Sequence, residues 1–247
     1  MLSGCDRVAV HAIRLMLHLG AKKVDAQEKD RLLASIAHRV ADYRQGEIEP
    51  IDQGHILSWL HQFDSGDRCM ILRETERLLG KTYIAREHAK VFITKLATNE
   101  KLTGDAPQAF WESAGLLRLQ ESSQSQNDML ALLGEVLEEK FGFGATREES
   151  VKQIYVYLDD VSCSGNQIKN DLLLWAEEQD VRDATVHIIT MTLYRGGYYF
   201  ARKRLLTALR PRNITCEFWA MLSLENRRYY ARDAEVFWPT ELPTRST

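Results

Sequence analysis

The stretch best equipped for chemistry runs Ile154-Tyr155-Val156-Tyr157-Leu158-Asp159-Asp160-Val161-Ser162-Cys163-Ser164-Gly165-Asn166-Gln167. A run of β-formers from Ile154 to Leu158 ends in two carboxylates. A short hydroxyl-bearing loop with one glycine then opens a segment of helical spacing. In a parallel α/β sheet, ligands bind beyond the carboxyl ends of the strands. A helix N-terminus offers unpaired N–H groups and a positive dipole end, which suits an anion. Gly165 would let the backbone approach a phosphate, with Ser162 and Ser164 adding hydroxyl donors. Carboxylates repel phosphate. Asp159 and Asp160 suit sugar hydroxyls, or a Mg²⁺ ion held indirectly through water or sugar oxygens. The combination fits a sugar phosphate.

Blander readings compete. Asp159-Asp160 can simply cap and solvate a strand end. A receiver domain also sets paired acids after a strand, but it would need a later strand-end Asp and a Lys, and Val186–Leu222 offers neither. The polar run Ser122-Ser123-Gln124-Ser125-Gln126 lies between an apolar run and a helix, as either a plain loop or a second ligand loop. Tyr194-Arg195 precedes Gly196-Gly197 at the end of another strand-like run. Cys163 has no histidine nearby to act as a base and reads as loop filler. The seven histidines show no metal-ligand spacing. Arg202-Lys203-Arg204 and Arg210-Pro211-Arg212 read as a solvated helix end, with nucleic-acid contact as the minority reading.

These residues need elements to position them. Residues 1–113 read as helical throughout. Leu32, Leu33, Ile36, Val40 and Tyr43 recur at helical spacing within 25–44. A second helix is expected over 56–63, with Trp59, Leu60 and Phe63 on one side. A third follows Asp67 as N-cap, buries Met70, Ile71, Leu78 and Leu79, and stops at Gly80. A fourth spans 84–96 and turns His88, Val91, Phe92 and Leu96 to one face. After Ser113 the pattern changes. Strands are expected at 116–119, 154–158, 186–193 and 214–222, separated by helices, which argues for a parallel sheet with helices on its faces. The expected organisation is a helical docking or packing region, 1–113, and an α/β domain, 114–247.

The chain has 247 residues with 45% apolar and 27% charged, enough for a sizeable core. A net charge of −3 does not force a nucleic-acid or membrane-surface role. The apolar run 13–19 is broken by Arg14 and His18, is too short to span a bilayer, and lacks a signal-peptide cleavage pattern. Cys5, Cys69, Cys163 and Cys216 lie far apart, as free thiols of a cytoplasmic protein would.

Strand-Asp-Asp-x-x-x-Ser-Gly resembles the phosphoribosyl-pyrophosphate (PRPP) loop of type I phosphoribosyltransferases. The resemblance implies a helical N-terminal region followed by a Rossmann-like parallel sheet of that type. It implies that Asp159 and Asp160 face the ribose hydroxyls and that Ser162, Cys163, Ser164, Gly165, Asn166 and Gln167 wrap the 5′-phosphate. Ser122, Ser123, Gln124 and Ser125 fall at the pyrophosphate loop, and Tyr194 and Arg195 on the base side, with Mg²⁺ as cofactor. Trp59-Leu60-His61-Gln62-Phe63, the 83–96 segment and the Phe237-Trp238-Pro239 tail resemble phosphoribosyltransferase-like proteins of bacterial conflict and phage-defence operons. Two departures stand out: Gln167 replaces the usual hydroxyl residue, and Phe141–Arg147 is short for a catalytic loop. The expectation is an antiviral effector or regulator that binds PRPP or a nucleotide, with transfer or cleavage at the ribose anomeric carbon. It would work with an operon-encoded partner or as a homo-oligomer. The alternative is an inactive nucleotide-sensing module that docks a protein or a nucleic-acid complex.

Overall fold

A computed structural model of the chain describes residues 26–120, 124–144, 152–233 and 235. The helices are α1 Ala26–Arg39, α2 Gln53–Leu60, α3 Arg68–Thr82, α4 Arg86–Ala97, α5 Glu100–Thr103 and α6 Pro107–Ser113. Strand β1 (Gly115–Leu117), α7 (Gln124–Phe141), β2 (Ile154–Ser162), α8 (Asn166–Glu178), β3 (Ala184–Tyr194), α9 (Arg195–Leu209) and β4 (Ile214–Leu224) follow. Short 3-10 turns lie at Arg210–Arg212 and Arg228–Asp233. None of the described helices is long and apolar enough to cross a membrane. His11, His18, the 13–19 run, Cys5 and the 237–239 tail lie outside the described residues.

Backbone contacts divide the chain into two units, one ending at Arg86 and resuming at Arg228, the other running Glu87–Arg227. In the first, α1 ends at Arg39, short of the expected 44; of the predicted stripe Leu32, Leu33, Ile36 and Val40 are buried, while Tyr43 is exposed. Leu32, Leu33 and Ile36 meet Ile56, Leu60, Ile71 and Leu72. Arg73 grips Glu28 through two bonds of 2.7 Å. Asp67 takes the N-cap position of α3 as expected, but without a side-chain cap bond. Asp52 accepts from the His55 N–H at 2.7 Å and starts α2. Gly80 does not stop α3, which continues to Thr82. Trp59 stays 37% exposed, its ring edge-on to Phe63.

The second unit carries a four-stranded parallel sheet in the order β1-β2-β3-β4. On one face Tyr155, Tyr157, Val186 and Ile188 pack with Ile168, Leu172 and Trp175 of α8 and Leu205 and Leu209 of α9. On the other, Ile93, Leu96, Trp111 and Leu133 close on Leu158 and Ile189, leaving an apolar gap too tight for a water molecule. Trp111 also donates its indole N–H to Ala97 O at 2.9 Å. Helices α4 to α6 therefore belong with the sheet, and the unit boundary falls at 86/87, away from the expected 113/114. The buried face of α4 also differs. It presents Ala89, Ile93, Leu96 and Ala97, while Val91 is 44% exposed and His88 is exposed. Alanines admit close packing of the helix, which a hydrophobicity pattern weights too lightly.

Candidate functional site

The apolar run 154–158 does not end β2. The strand stays paired with β3 as far as Ser162↔Leu193, so Asp159 and Asp160 lie within its last four residues and Ser162 is its final residue. Asp159 is deeply buried, at 5% exposure, and Asp160 only half-buried. Two chain neighbours thus have different surroundings at the carboxyl end of one strand.

Asp159 is held by a network assembled from four elements. Gln120, just past β1, brings its side-chain Nε2 within reach of three acceptors. These are the Tyr157 hydroxyl, Asp159 Oδ2 at 3.0 Å and Asp171 Oδ2 at 3.2 Å. The Tyr157 O–H donates to Asp171 Oδ2 at 2.8 Å. Ser125 Oγ donates to Asp159 Oδ1 at 3.4 Å, and the Asp160 N–H donates to the same oxygen at 2.9 Å. Burial is the main reason the Asp159 carboxyl is pushed up to about 6, with the neighbouring Asp160 charge adding to it. The bonds from Gln120 and the Asp160 N–H oppose the shift. Burial also raises Asp171, against the bonds it accepts from Tyr157 and Gln120. Burial and the two nearby carboxylates keep Tyr157 a phenol.

Gln126 fixes the loop that carries Gln120. It is 1% exposed; its Oε1 accepts from the Leu119 and Gln120 N–H groups at 2.9 and 3.1 Å, and its Nε2 donates to Leu158 O at 3.3 Å. The ends of β1 and β2 are thereby tied side by side. Replacing Gln126 with Leu leaves one buried and one half-buried N–H donor and a carbonyl acceptor without this partner. It is expected to cost about 2 kcal/mol, measured by urea unfolding.

The PRTase-CE family model matches residues 56–246. The chain belongs to the PRTase-CE family. No curated protein and no solved structure matches it. Membership makes the protein phosphoribosyltransferase-like, with a mixed α/β fold on a parallel sheet.

The PRTase-CE sheet brings some of the expected residues together. The Ser162–Gln167 segment lies at the end of β2 and start of α8. Ser162 is 4% exposed, and its Oγ has no hydrogen-bond partner among the described residues. The same holds for Thr190 Oγ1, on the residue that pairs with Asp159 across the sheet. Ser164 Oγ accepts from the Asn166 N–H at 3.3 Å. Asn166 and Gln167 form the exposed first turn of α8, and Cys163 is half-buried and in no disulfide. Lys169, one turn in, brings its Nζ to 3.5 Å from Asn166 Oδ1 and supplies a cation that sequence reasoning did not single out.

Gly165 also has a packing role beside the phosphate contact expected of it. Its φ is +72°, and a Cβ built there would lie 2.3 Å from Gly197 O and 2.9 Å from Ala201 Cβ. Conversely, a Cβ on Gly197 would meet Cys163 O at 2.2 Å. The missing side chain lets the loop backbone cross the first turn of α9, so the glycine serves this crossing.

The second expected loop is only partly described. Ser122 and Ser123 lie outside the described residues, as does 145–147 of the short catalytic-loop segment. Gln124 and Ser125 already belong to the first turn of α7, with Gln124 Nε2 donating to Asp128 Oδ1 at 2.9 Å.

On the expected base side, Tyr194 ends β3 and Arg195 opens α9. The Gly196 N–H donates to Asn226 Oδ1 at 2.8 Å, so the start of α9 is capped from the chain beyond β4. Arg227 Nε and Nη2 donate to the two oxygens of Glu225 at 2.9 and 2.6 Å, holding that carboxyl down to about 2. Arg195 approaches the same carboxylate at 3.6 Å. Sequence reasoning missed Glu225-Asn226-Arg227, although their place after β4 follows the strand-end rule. It placed Gln126 in a polar loop and Tyr157 in a strand without a bonding role for either, and it missed Asp171; no local pattern announces what these side chains bond.

Proposed function

We propose that the carboxyl ends of β1 and β2 bind a ribose 5-phosphate ligand, PRPP or a nucleotide, with transfer or cleavage at the anomeric carbon as the reaction class. The observation that carries this reading is the bonded junction of the two strand ends, Gln120 and Ser125 on one side and Asp159 on the other. In this reading Asp160, the more accessible carboxylate, meets the ribose hydroxyls. Asp159 backs it from within the network. The N-terminus of α8 and Lys169 would face the 5′-phosphate, and a ligand oxygen would satisfy the orphaned Ser162 hydroxyl. Fixed groups of this kind act by positioning and by charge stabilisation of an oxocarbenium-like state.

No cluster of three or more His, Cys, Asp or Glu able to hold a metal occurs among the described residues. In the proposed site an ion would be carried largely by ligand oxygens and water, with Asp160 as the nearest carboxylate. Mg²⁺ bound in that way would offset pyrophosphate charge. A role in antiviral defence is part of the proposal and rests on the conflict-operon resemblance.

Calorimetric titration with PRPP and with nucleoside monophosphates tests the site. At least one should bind more tightly with Mg²⁺ present, and Asp160→Asn should weaken it at least about tenfold, or about 1.4 kcal/mol. Absence of binding by every ribose phosphate, or equal affinity in a folded Asp160→Asn variant, overturns the reading.

A further inference from the structure

Helix α9 and the turn after it form a surface of one sign. Residues 195–212 include six Arg or Lys and no Asp or Glu, in a chain whose net charge is −3. The helix buries Gly197, Ala201, Leu205 and Leu209. Tyr199, Lys203, Leu206 and Arg210 lie on the side away from that stripe, with Arg202 beside them. All five are exposed, Tyr199 at 51% and Leu206 at 61%. Arg195 and Arg212 are engaged with Glu225 and Asp180. Arg202, Lys203 and Arg210 have no ion-pair partner among the described residues, so three cations stand on this face uncompensated.

We propose that the outer face of α9 binds single-stranded nucleic acid, with Arg202, Lys203 and Arg210 on the phosphates and Tyr199 under a base. Uncompensated cations favour a polyanion, because each phosphate contact releases a condensed counterion. An exposed aromatic ring among them offers a sequence-tolerant stacking surface. The Tyr199 ring is already covered on one side by the Arg227 guanidinium, 4.9 Å from its centroid, which stiffens the platform. A protein partner would need an apolar centre on this face, and Leu206 alone does not make one. From Tyr199 to Arg210 the face runs about 16 Å at 1.5 Å per residue, roughly the length of four or five stacked nucleotides at 3.4 Å each. The first turn of α9 touches the Cys163–Gly165 loop, so a bound strand would begin beside the candidate ribose-phosphate site.

Fluorescence anisotropy of the full chain with a labelled mixed-sequence oligonucleotide tests this. Single strands should bind with log K falling against log salt at a slope of about −2, from roughly 0.7 per phosphate contact over three contacts. Arg202→Glu with Lys203→Glu should weaken binding at least about tenfold without lowering the thermal midpoint. Tyr199→Ala should weaken it several-fold and leave the salt slope unchanged. Unchanged affinity in the folded double variant overturns the proposal. Duplex binding equal to single-strand binding with a silent Tyr199→Ala overturns it as well. Displacement of the oligonucleotide by polyglutamate with a silent Tyr199→Ala would mark the face as an acidic-protein surface, and also overturns it.

Discussion

Gly165→Ala is expected to lower the unfolding free energy of the sheet unit by about 3–5 kcal/mol, through a left-handed backbone held by a non-glycine residue and forced overpacking. Two costs combine. Gly165 has φ +72°, where a Cβ is strained, and that Cβ would sit 2.3 Å from the carbonyl oxygen of Gly197. The obstacle is backbone, so no side chain can swing aside. Relief requires α9 to move away from the end of β2. Gly197→Ala should behave alike, because its Cβ would meet Cys163 O at 2.2 Å. Chemical denaturation of each variant measures the loss. A midpoint shift worth less than about 1 kcal/mol would show that the crossing relaxes easily, since overpacking ordinarily costs more. Loss of ligand binding in a Gly165 variant would not by itself identify a phosphate contact, because the same change displaces the loop.

The second large effect depends on pH. Asp159 is raised from an ordinary 3.8 to about 6, so the folded chain holds its proton more tightly than the unfolded chain. The stabilisation from that proton is complete below about pH 4, falls away as pH rises through about 6, and is absent above it. The gap between 3.8 and about 6 amounts to roughly 3 kcal/mol at 1.36 kcal/mol per pH unit. Asp159→Asn removes the ionisation and retains an oxygen to accept from Gln120 or the Asp160 N–H. The variant should therefore gain on wild type by up to about 2–3 kcal/mol between pH 4 and pH 7. Thermal melts across that range measure the gain. A constant difference between the two proteins would mean that Asp159 does not titrate there.

Much of this fold is legible in the sequence because its causes are local. Apolar β-former runs at 154–158, 186–193 and 214–222 sit inside β2, β3 and β4, each of which extends slightly further. The stripe Leu32, Leu33, Ile36 is buried as its spacing requires. The placement of Asp159-Asp160 and the Ser-Gly loop where a strand gives way to a helix follows from the same local pattern, as does membership of a phosphoribosyltransferase-like family.

The rest was decided by tertiary structure. Gln120 meets Asp159 across 39 positions of chain and Asp171 across 51. No periodicity links such residues; parallel pairing of β1 with β2 and the packing of α8 bring them together. That packing also gives Asp159 and Asp160, identical in type and adjacent in sequence, unequal burial, and burial is the main reason Asp159 is pushed up to about 6. Gly165 shows the same division. The sequence marks a residue freed from Cβ sterics, but the nearby atoms that require that freedom belong to a helix that starts thirty residues later, because the crossing is set by where α9 packs on the sheet.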